Sequence, residues 1–368
     1  MSSPDFHVRL RAGTGPALTK ATTAAAEVLA DRLARGFPAG AAAALVDREG
    51  VSATLWGGWA TVVPERIPVS RGTIFDLASL TKVTVTVPLV LLMRERGQWS
   101  LEDPVARWVR GFPRDEVTLW HCLTHTSGLP DHRPFFRQAS GRGVRPLLFE
   151  EARLAPAPAG QVIYSDLNFM LLGWALEARA GRPLRRLARD ELLLPMGMRR
   201  SDFRPARRLQ RRAAATEVNG DQRLEPGAVW GEVHDGNAWA LGGVAGHAGL
   251  FAPIDDLAAF AHALLRPARH PVLTGGSLAE MGLRQAGRPP DVRGLGWRLQ
   301  PEDWGCWPAS TLWHTGFTGT SLLLAPEVGV AVVLLSNAIH PRRRPEEQAQ
   351  LRRDLHRAVA DAVLESAP

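Results

Sequence analysis

Two residues with complementary chemistry stand three positions apart in "FDLASLTKVT", residues 75–84. They are Ser79 and Lys82, and on a helix this spacing puts both side chains on one face. A serine hydroxyl becomes a nucleophile when a neighbouring base removes its proton. Lysine can be that base if its surroundings lower its pKa toward neutrality, whereas a guanidinium keeps its charge. Of the 44 lysines and arginines only Lys20 and Lys82 are lysine, so this exception to the composition marks a chemical requirement.

A second segment, "IYSDLNFMLLG", holds the one tyrosine of the chain, Tyr164. A phenol relays a proton when a cation holds it near its ionised form, and phenylalanine can fill every other role of a core ring. The alternative is a packed ring whose hydroxyl finds a backbone acceptor. The uniqueness of Tyr164 favours the proton relay.

A third segment, "WHTGFTGTS", runs from the end of a predicted edge strand and begins its motif at His314. Gly316 follows two residues later, and glycine in a strand permits the close approach of a ligand. The N–H group after such a glycine can point at a developing oxyanion. The order of this motif after the other two is what makes it informative.

The three segments in this order resemble the serine β-lactamase and penicillin-binding protein superfamily, whose signature begins S-x-x-K. The resemblance is closest to the class C β-lactamase-like branch with its esterases and D-amino-acid peptidases, which carries Tyr-x-Asn second and Lys/His-Thr-Gly third. It covers about residues 20–365 and includes "LTHTSGLP", "LLPMGM", "GEVHDGNAWALGGVAGHAGLF" and "LLSNAIHP".

The resemblance implies a catalytic role for four residues. Ser79 would be the acylated nucleophile and Lys82 its proton acceptor. Tyr164 would pass the proton to the leaving group and later help to activate water, while His314 would line the site on the strand.

The resemblance also implies three substrate-binding or oxyanion positions, Asp166, Gly316 and Phe317. The backbone N–H groups of Ser79 and Phe317 would form the oxyanion hole, a device in which each donor is typically worth ~10²-fold or more. Ser79 at a helix N-terminus also meets the positive end of the helix dipole.

Two departures from the family pattern affect the chemistry. Asp166 stands where class C enzymes usually have an amide, and an ionised carboxylate near Lys82 raises the pKa of the lysine and opposes its role as a base. Either the pair shares its proton with Tyr164, or Asp166 points elsewhere. His314 replaces lysine, and a histidine is only partly charged at neutral pH, so recognition of a substrate carboxylate should be weakened.

The helices and strands that must position these residues can be predicted from the sequence. They indicate an α/β (α+β) fold similar to the β-lactamase and DD-peptidase fold. Apolar runs near both chain ends predict an antiparallel sheet of about five strands, flanked by an N-terminal helix that ends at Gly36 and a C-terminal helix from about Pro345. Residues 1–75 and 291–368 would build this α/β lobe. Residues 76–290 would form a mostly helical lobe that carries the S-x-x-K and tyrosine motifs.

Several local patterns qualify this prediction. The C-terminal helix repeats an apolar residue every four positions, at Leu351, Leu355, Val359 and Val363. "SLEDPVARWV", "VTLWHCLTH" and "IDDLAAFAHALLR" have helical periods, whereas "VTVTVP" favours a strand, so burial has to override propensity after Lys82. Residues 126–147 and 203–240 are long irregular stretches, typical of lids or binding walls.

Composition excludes several other classes of protein. The net charge is +7 with a pI near 10.6, but the arginines are scattered and no nucleic-acid motif accompanies them. No apolar run is long enough to span a membrane and no secretory signal is visible, so we expect a cytoplasmic protein. Cys122 and Cys306 fit small buried hydrophobic residues.

No cofactor or metal is expected. His121 and His125 stand four apart on a predicted helix and could hold a metal with His132 or His234, but no HExxH pattern or cysteine pair accompanies them. His234 and His247 fit positioning or wall residues. An α/β-hydrolase is disfavoured because no G-x-S-x-G segment occurs.

The sequence therefore predicts a serine hydrolase that forms an acyl-enzyme on Ser79, with carboxylic esters or related small acyl compounds as preferred substrates. The first alternative is a β-lactamase or D-amino-acid peptidase that hydrolyses an amide. The second is a catalytically silent acyl-binding protein on the same scaffold. The identity of the substrate and the oligomeric state do not follow from the sequence.

Overall fold

The computed structural model describes residues 5–158, 160–218, 227–269 and 272–365, and it contains an antiparallel sheet with helices against both faces. The strands are β1 His7–Leu10, β2 Gly40–Asp47, β3 Gly50–Thr61, β4 Ile67–Pro68, β5 Ile74–Asp76, β6 Asp202–Phe203, β7 Leu250–Pro253, β8 Ala286–Arg288, β9 Asp291–Arg293, β10 Arg298–Leu299, β11 Leu312–Thr315, β12 Ser321–Ala325 and β13 Val330–Ser336. The α-helices are α1 Pro16–Ala34, α2 Val87–Glu95, α3 Leu119–Thr124, α4 Val144–Leu154, α5 Asp166–Ala180, α6 Leu184–Ala188, α7 Gly236–Ala240, α8 Ile254–Leu265, α9 Gly275–Met281 and α10 Pro345–Leu364.

Within the described ranges, ten strands form the main sheet in the order β1-β3-β2-β13-β12-β11-β10-β9-β8, with β4 paired to β3. Its strand pairs are antiparallel. A second sheet has the order β5-β7-β6. The hairpin β2–β3 lies next to β13, so strands from the two ends of the chain meet in the middle of the sheet.

The fold class is the one expected from the sequence, but the expectation of about five strands is wrong. The long strands β2, β3, β12 and β13 arise from the apolar runs that the sequence displays. The additional strands β1, β4, β8 and β9 have only two to four residues, which is too short to show an alternating pattern. The division into lobes at residues 75 and 291 stays a prediction.

The main sheet is buried on both faces, as strand β2 illustrates. Ala43 and Leu45 pack in a core formed with α1 and α10, while Ala44 and Val46 face a second core that includes α8. Successive side chains of a strand point to opposite faces, so β2 is an almost continuous apolar run.

The C-terminal helix α10 has the stripe that its sequence predicts. Leu351, Leu355, Val359 and Val363 are all buried in the core shared with α1 and β2. The four-residue spacing therefore identified the face that packs on the sheet.

The helical predictions for the middle of the chain are confirmed for α3 and α8 but not for "SLEDPVARWV". That segment has only the short 3₁₀ turn Val105–Arg107. Its backbone is used elsewhere, because Val105 N–H donates to the Val117 carbonyl and Asp103 accepts from Leu119 N–H. These pairings compete with a helix. The irregular stretches have further 3₁₀ turns at Phe135–Arg137, Gly141–Gly143 and Arg207–Arg212, and residues 219–226 of the second stretch lie outside the described residues.

The segment after Ser79 is helical despite its strand-like sequence. Lys82–Thr86 forms a π-helical turn that continues into α2, and every side chain of this turn is buried. Pro88 lies in the first turn of α2, where a missing N–H group is tolerated. Burial thus overrides local propensity here.

Two further features bear on the sequence predictions. Cys122 is buried as expected, but Cys306 is exposed, because it lies in the loop between β10 and β11 rather than in a core.

Within the part of the chain that the structure describes, we find no helix with the length and apolarity needed to cross a bilayer.

Candidate active site

Ser79 lies in a tight turn between β5 and the helix that follows. Ala78, just before it, has a φ of 47°, a left-handed conformation that costs energy for any residue with a Cβ atom. The Asp76 carboxylate fixes the turn by accepting from Ala78 N–H at 2.8 Å, and Leu80 N–H donates to the Leu77 carbonyl at 3.0 Å. The turn presents the partly exposed Ser79 at the start of a helix.

The segment after β11 holds this turn against the sheet. The Thr318 hydroxyl donates to the Asp76 carbonyl at 2.7 Å and the Thr320 hydroxyl to the Leu77 carbonyl at 3.2 Å. Gly316 lies so close that a Cβ atom there would be 2.4 Å from the Leu77 carbonyl oxygen. A glycine at this position is therefore required by close approach of two backbones.

Lys82 makes three polar contacts although its side chain has no exposed surface. Its Nζ donates to Ser79 Oγ at 2.8 Å, to Asp166 Oδ1 at 2.7 Å and to the His247 carbonyl at 3.4 Å. The structure thus joins the serine, the lysine and the carboxylate that the sequence analysis placed in one site.

The charge state of Lys82 is set by two opposing effects. Burial alone would lower the pKa of Lys82, but the Asp166 carboxylate and the Tyr164 phenol outweigh it and raise this pKa. Burial likewise disfavours the Asp166 carboxylate, yet Lys82 and His132 hold the pKa of Asp166 well below its usual range. The resting pair is therefore ammonium and carboxylate, the outcome that opposes a free lysine base.

Tyr164 lies beside the lysine among rings and cations. The Lys82 Nζ is 4.9 Å from the centre of its ring, and the phenol contributes to the raised pKa of Lys82. The ring centres of His125 and His314 are 4.7 and 5.9 Å away, and the Arg293 guanidinium carbon is 5.3 Å away. Two cations thus face the only phenol of the chain.

His314 is neutral in this environment. Its Nδ1 lies 2.8 Å from the Thr315 carbonyl, which only an N–H donor can satisfy, so Nε2 is the acceptor nitrogen. Burial, followed by repulsion from Lys82 and Arg293, holds the pKa of His314 well below its ordinary value. The cation that a lysine would supply at this position is absent.

The backbone around Phe317 is held by α10. The Gln348 side chain donates to the Phe317 carbonyl at 2.9 Å and Arg352 donates to the Gly316 carbonyl at 2.5 Å. Burial lowers the pKa of Arg352 to about 10. Among the described residues the amides of Ser79 and Phe317 have no protein acceptor, which suits an oxyanion hole.

The histidines weighed as metal ligands have other partners. His121 closes a capping box with Thr118 at the start of α3. His125 Nδ1 accepts from Ser165 N–H at 3.0 Å, which holds the start of α5, and His132 Nδ1 lies 3.6 Å from Asp166 Oδ2.

His234 and His247 are buried residues that support the site. His234 N–H donates to Asp76 at 2.7 Å and its ring stacks on Phe317 with 5.3 Å between centres. His247 Nε2 is 2.8 Å from Asp235 Oδ1, and its carbonyl contacts Lys82.

Sequence analysis missed Asp76 and Arg293, and it weighed His132 only as a metal ligand and not as a neighbour of Asp166. Asp76 stands three residues before Ser79, so its position was a visible signal. His132 follows the family-like "LTHTSGLP" by two residues. Arg293 belongs to the three-residue strand β9, which has no motif, so no local signal identifies it.

Comparisons with known proteins agree with this geometry. A family model described as Beta-lactamase matches residues 26–357. The chain is 27% identical over 382 residues to a putative D-alanyl-D-alanine carboxypeptidase of Escherichia coli (strain K12), covering 89% of this chain and 86% of that protein.

Two solved structures share the fold. EstCE1, described as a hydrolase with promiscuous acyltransferase activity, has a TM-score of 0.73 and 21% identity, covering 95% of this chain and 100% of that one. A class C beta-lactamase from Rhodobacter sphaeroides has a TM-score of 0.70 and 21% identity, covering 90% of this chain and 98% of that one. Together with the family model, which spans most of the sequence, these matches lead to one conclusion: the chain belongs to the beta-lactamase family and is a serine hydrolase.

Proposed function

We propose that the chain hydrolyses carboxylic esters or related small acyl compounds through an acyl-enzyme on Ser79. One observation carries the proposal: the buried Lys82 Nζ lies 2.8 Å from Ser79 Oγ. Burying a lysine against a serine hydroxyl at a strained turn lowers the stability of the fold. Nucleophilic catalysis by the serine would explain why the chain has this arrangement.

Acylation forms the bond between Ser79 Oγ and the acyl carbon and breaks the bond between that carbon and the leaving oxygen. The resting Lys82 ammonium has no free electron pair, so it first passes one proton to Asp166 Oδ1, 2.7 Å away, and the amine then takes the serine proton. The Tyr164–Lys82 couple holds that proton near the leaving oxygen. Lys82 and Arg293 beside the phenol ring stabilise negative charge that develops on its oxygen. The same couple would deliver the proton to the leaving alkoxide and take one from the water that releases the acid.

The preference for esters is supported by the neutral state of His314, which removes one attraction for a substrate carboxylate. An ester also needs less help from a proton donor than an amide, because its leaving group is an alkoxide rather than an amine. The similar fold of EstCE1, a hydrolase with promiscuous acyltransferase activity by its description, is in keeping with this choice.

A second candidate, an amide hydrolase acting on a peptide with a free carboxylate, is favoured by Arg293. This guanidinium is 3% exposed, lies beside Tyr164, and its Nη1 has no hydrogen-bond partner among the described residues. A substrate carboxylate would satisfy it. The relative named as a putative D-alanyl-D-alanine carboxypeptidase points the same way.

The proposal is tested by intact mass after treatment with a fluorophosphonate. We expect one adduct on the wild-type chain and none on Ser79→Ala. A wild-type chain without an adduct would favour the catalytically silent acyl-binding alternative, and an adduct that persists in Ser79→Ala would move the nucleophile elsewhere.

Substrate class is then decided by rates on a nitrophenyl ester, a chromogenic cephalosporin and a D-alanyl-D-alanine peptide. Esters should be turned over fastest by the wild type. Faster cleavage of the peptide, together with a much larger loss of peptide cleavage than of ester turnover in Arg293→Gln, would replace the ester proposal with the amide candidate.

A further inference from the structure

A cleft of about 670 Å³ beside helix α5 is lined by an unusual number of arginines, and none of Ser79, Lys82 or Tyr164 lines it. We call it the arginine cleft. Its arginines come from three segments of the chain and are Arg142, Arg145, Arg185, Arg186, Arg189 and Arg204. A face of α5 that includes Met170 and Trp174 contributes to the lining.

The carboxylates of the arginine cleft do not balance these cations. Asp202 and Glu177 are the two acidic residues in its lining, against six guanidinium groups. Both are already engaged: Arg185 donates to the two oxygens of Asp202 at 2.9 and 2.7 Å, and Glu177 accepts from Leu184 N–H at 2.9 Å. The lining of the cleft therefore has a net charge of +4, and both of its carboxylates already accept hydrogen bonds from the protein.

Four of the cations have no carboxylate or other side-chain partner within the described ranges, and these are Arg142, Arg186, Arg189 and Arg204. Arginines just outside the cleft behave differently. Arg182 contacts Asp190 and Glu191, and Arg200 contacts Asp255 and Asp256. Four unpaired guanidinium groups thus share one concavity, where like charges repel one another unless an anion joins them.

We propose that the arginine cleft binds a small molecule that carries a diphosphate or longer phosphate chain. A volume of about 670 Å³ fits a compound of metabolite size. Guanidinium groups bind phosphate oxygens in pairs of parallel hydrogen bonds. The donors converge from residues 142–145, 185–189 and 204, and the tetrahedral oxygens of phosphate accept from several directions, whereas carboxylate oxygens lie in one plane.

A nucleobase is not needed for this recognition. Trp174, the aromatic side chain in the lining, is only 8% exposed, and the Arg145 guanidinium lies 4.9 Å from its ring centre. The ring is covered, so it offers no free face for stacking. The phosphate chain is the part of the ligand that the cleft recognises.

The cleft shares structure with the catalytic site. Gly246 lines it and packs on Gly173 of α5, where an added Cβ at Gly173 would be 2.9 Å from Gly246 N. The next residue, His247, accepts from Lys82, and α5 begins at Asp166. A ligand bound in the cleft should therefore change the position of the His247 carbonyl relative to Lys82, and with it the turnover of an ester.

Binding is tested by calorimetry at low salt with inorganic pyrophosphate, on the Ser79→Ala chain so that turnover cannot contribute. The cleft variant is Arg142→Gln with Arg186→Gln, two exposed residues without side-chain partners in the described ranges. The control is Arg9→Gln with Arg110→Gln, also exposed and outside the cleft, which removes the same charge. We expect one binding site in Ser79→Ala and in the control, and affinity weaker by ~10-fold or more in the cleft variant.

Three results would overturn the proposal. If pyrophosphate affinity fell equally in the cleft variant and the control, the binding would come from the general positive charge of the protein and not from the cleft. Citrate that binds as tightly as pyrophosphate would remove the phosphate assignment. A short RNA that binds the cleft without competition from pyrophosphate would make it a nucleic-acid surface.

The link to the catalytic site has its own test. Saturating pyrophosphate should change the nitrophenyl ester turnover of the otherwise wild-type chain and leave the turnover of the cleft variant unchanged. Turnover of the wild type that ignores saturating pyrophosphate would overturn the coupling, whether or not the ligand binds.

Discussion

The chain has two lysines, and each forms an ion pair with a carboxylate in a different region of the molecule. Lys20 on α1 meets Glu365 after α10 at 3.1 Å, and the two side chains are 59% and 67% exposed. Lys82 meets Asp166 at 2.7 Å, with 0% and 17% exposed. The two pairs have the same chemistry and differ in their access to water.

This difference in exposure decides what each pair can contribute to the stability of the fold. An exposed pair is screened by water and salt and contributes little to stability. A buried pair requires the desolvation of two ions, and well-packed apolar residues often serve stability as well or better. The Lys82–Asp166 pair is thus explained better by the chemistry at Ser79 than by the stability of the fold. Replacing each partner in turn tests that reading.

The largest effect is expected for Lys82→Arg. A guanidinium can keep the ion pair with Asp166 but cannot give up a proton, so ester turnover should fall by ~10³-fold or more. The kcat/KM on a nitrophenyl ester measures this loss.

Arginine is larger than lysine, so the fold of this variant needs its own check. Lys82→Met, which is uncharged and close to lysine in length, serves as the second variant, and thermal unfolding reports on both. Substantial turnover by a folded Lys82→Arg chain would contradict proton transfer through this residue.

The parts of the site that follow from the sequence are those whose chemistry departs from the composition. Lys82 is one of two lysines and Tyr164 is the only tyrosine, and the structure places Lys82 against Ser79 and Tyr164 beside Lys82. His314 also lies beside Tyr164, at the end of the strand where it was expected. A residue type retained against a strong bias is a signal that needs no structure.

The rest depends on contacts between distant segments, which no periodicity records. Arg293 is one of many arginines and lies beside Tyr164 only because the short strands β8, β9 and β10 extend the sheet. The sequence did not decide the orientation of Asp166, since its carboxylate could have pointed away from Lys82. The helix after Ser79 contradicts its own strand propensity, because packing against its neighbours decides its conformation.

Tyr164→Phe should have the next largest effect. Loss of the hydroxyl would remove the proposed proton relay while the ring keeps its contacts with His125 and His314, so kcat should fall by ~10²-fold or more. The thermal midpoint should stay close to that of the wild type. Unchanged turnover would reduce Tyr164 to a packing residue.

Asp166→Asn removes one of the two lysine–carboxylate ion pairs, because it leaves the buried Lys82 without a carboxylate partner. Burial lowers the pKa of Lys82 and the Asp166 carboxylate raises it, so removal of the carboxylate leaves burial dominant and this pKa falls. The neutral amine then exists at lower pH, and the ascending limb of the kcat/KM profile should move to lower pH.

A matched control for this profile is Asp131→Asn, which removes an exposed carboxylate close in sequence to His132. Its profile should coincide with that of the wild type. An ascending limb in Asp166→Asn that stays in place, or moves to higher pH, would show that Asp166 does not set the ionisation of Lys82.

The smallest effect is expected for Lys20→Arg. Arginine can keep the contact with Glu365, and nothing at this exposed pair requires a residue that can lose a proton. Ester turnover should match the wild type, and the thermal midpoint should shift by no more than about 2 °C. If Lys20→Arg instead impaired turnover as Lys82→Arg does, lysine would be needed at both places, and burial against Ser79 could no longer be the property that distinguishes them.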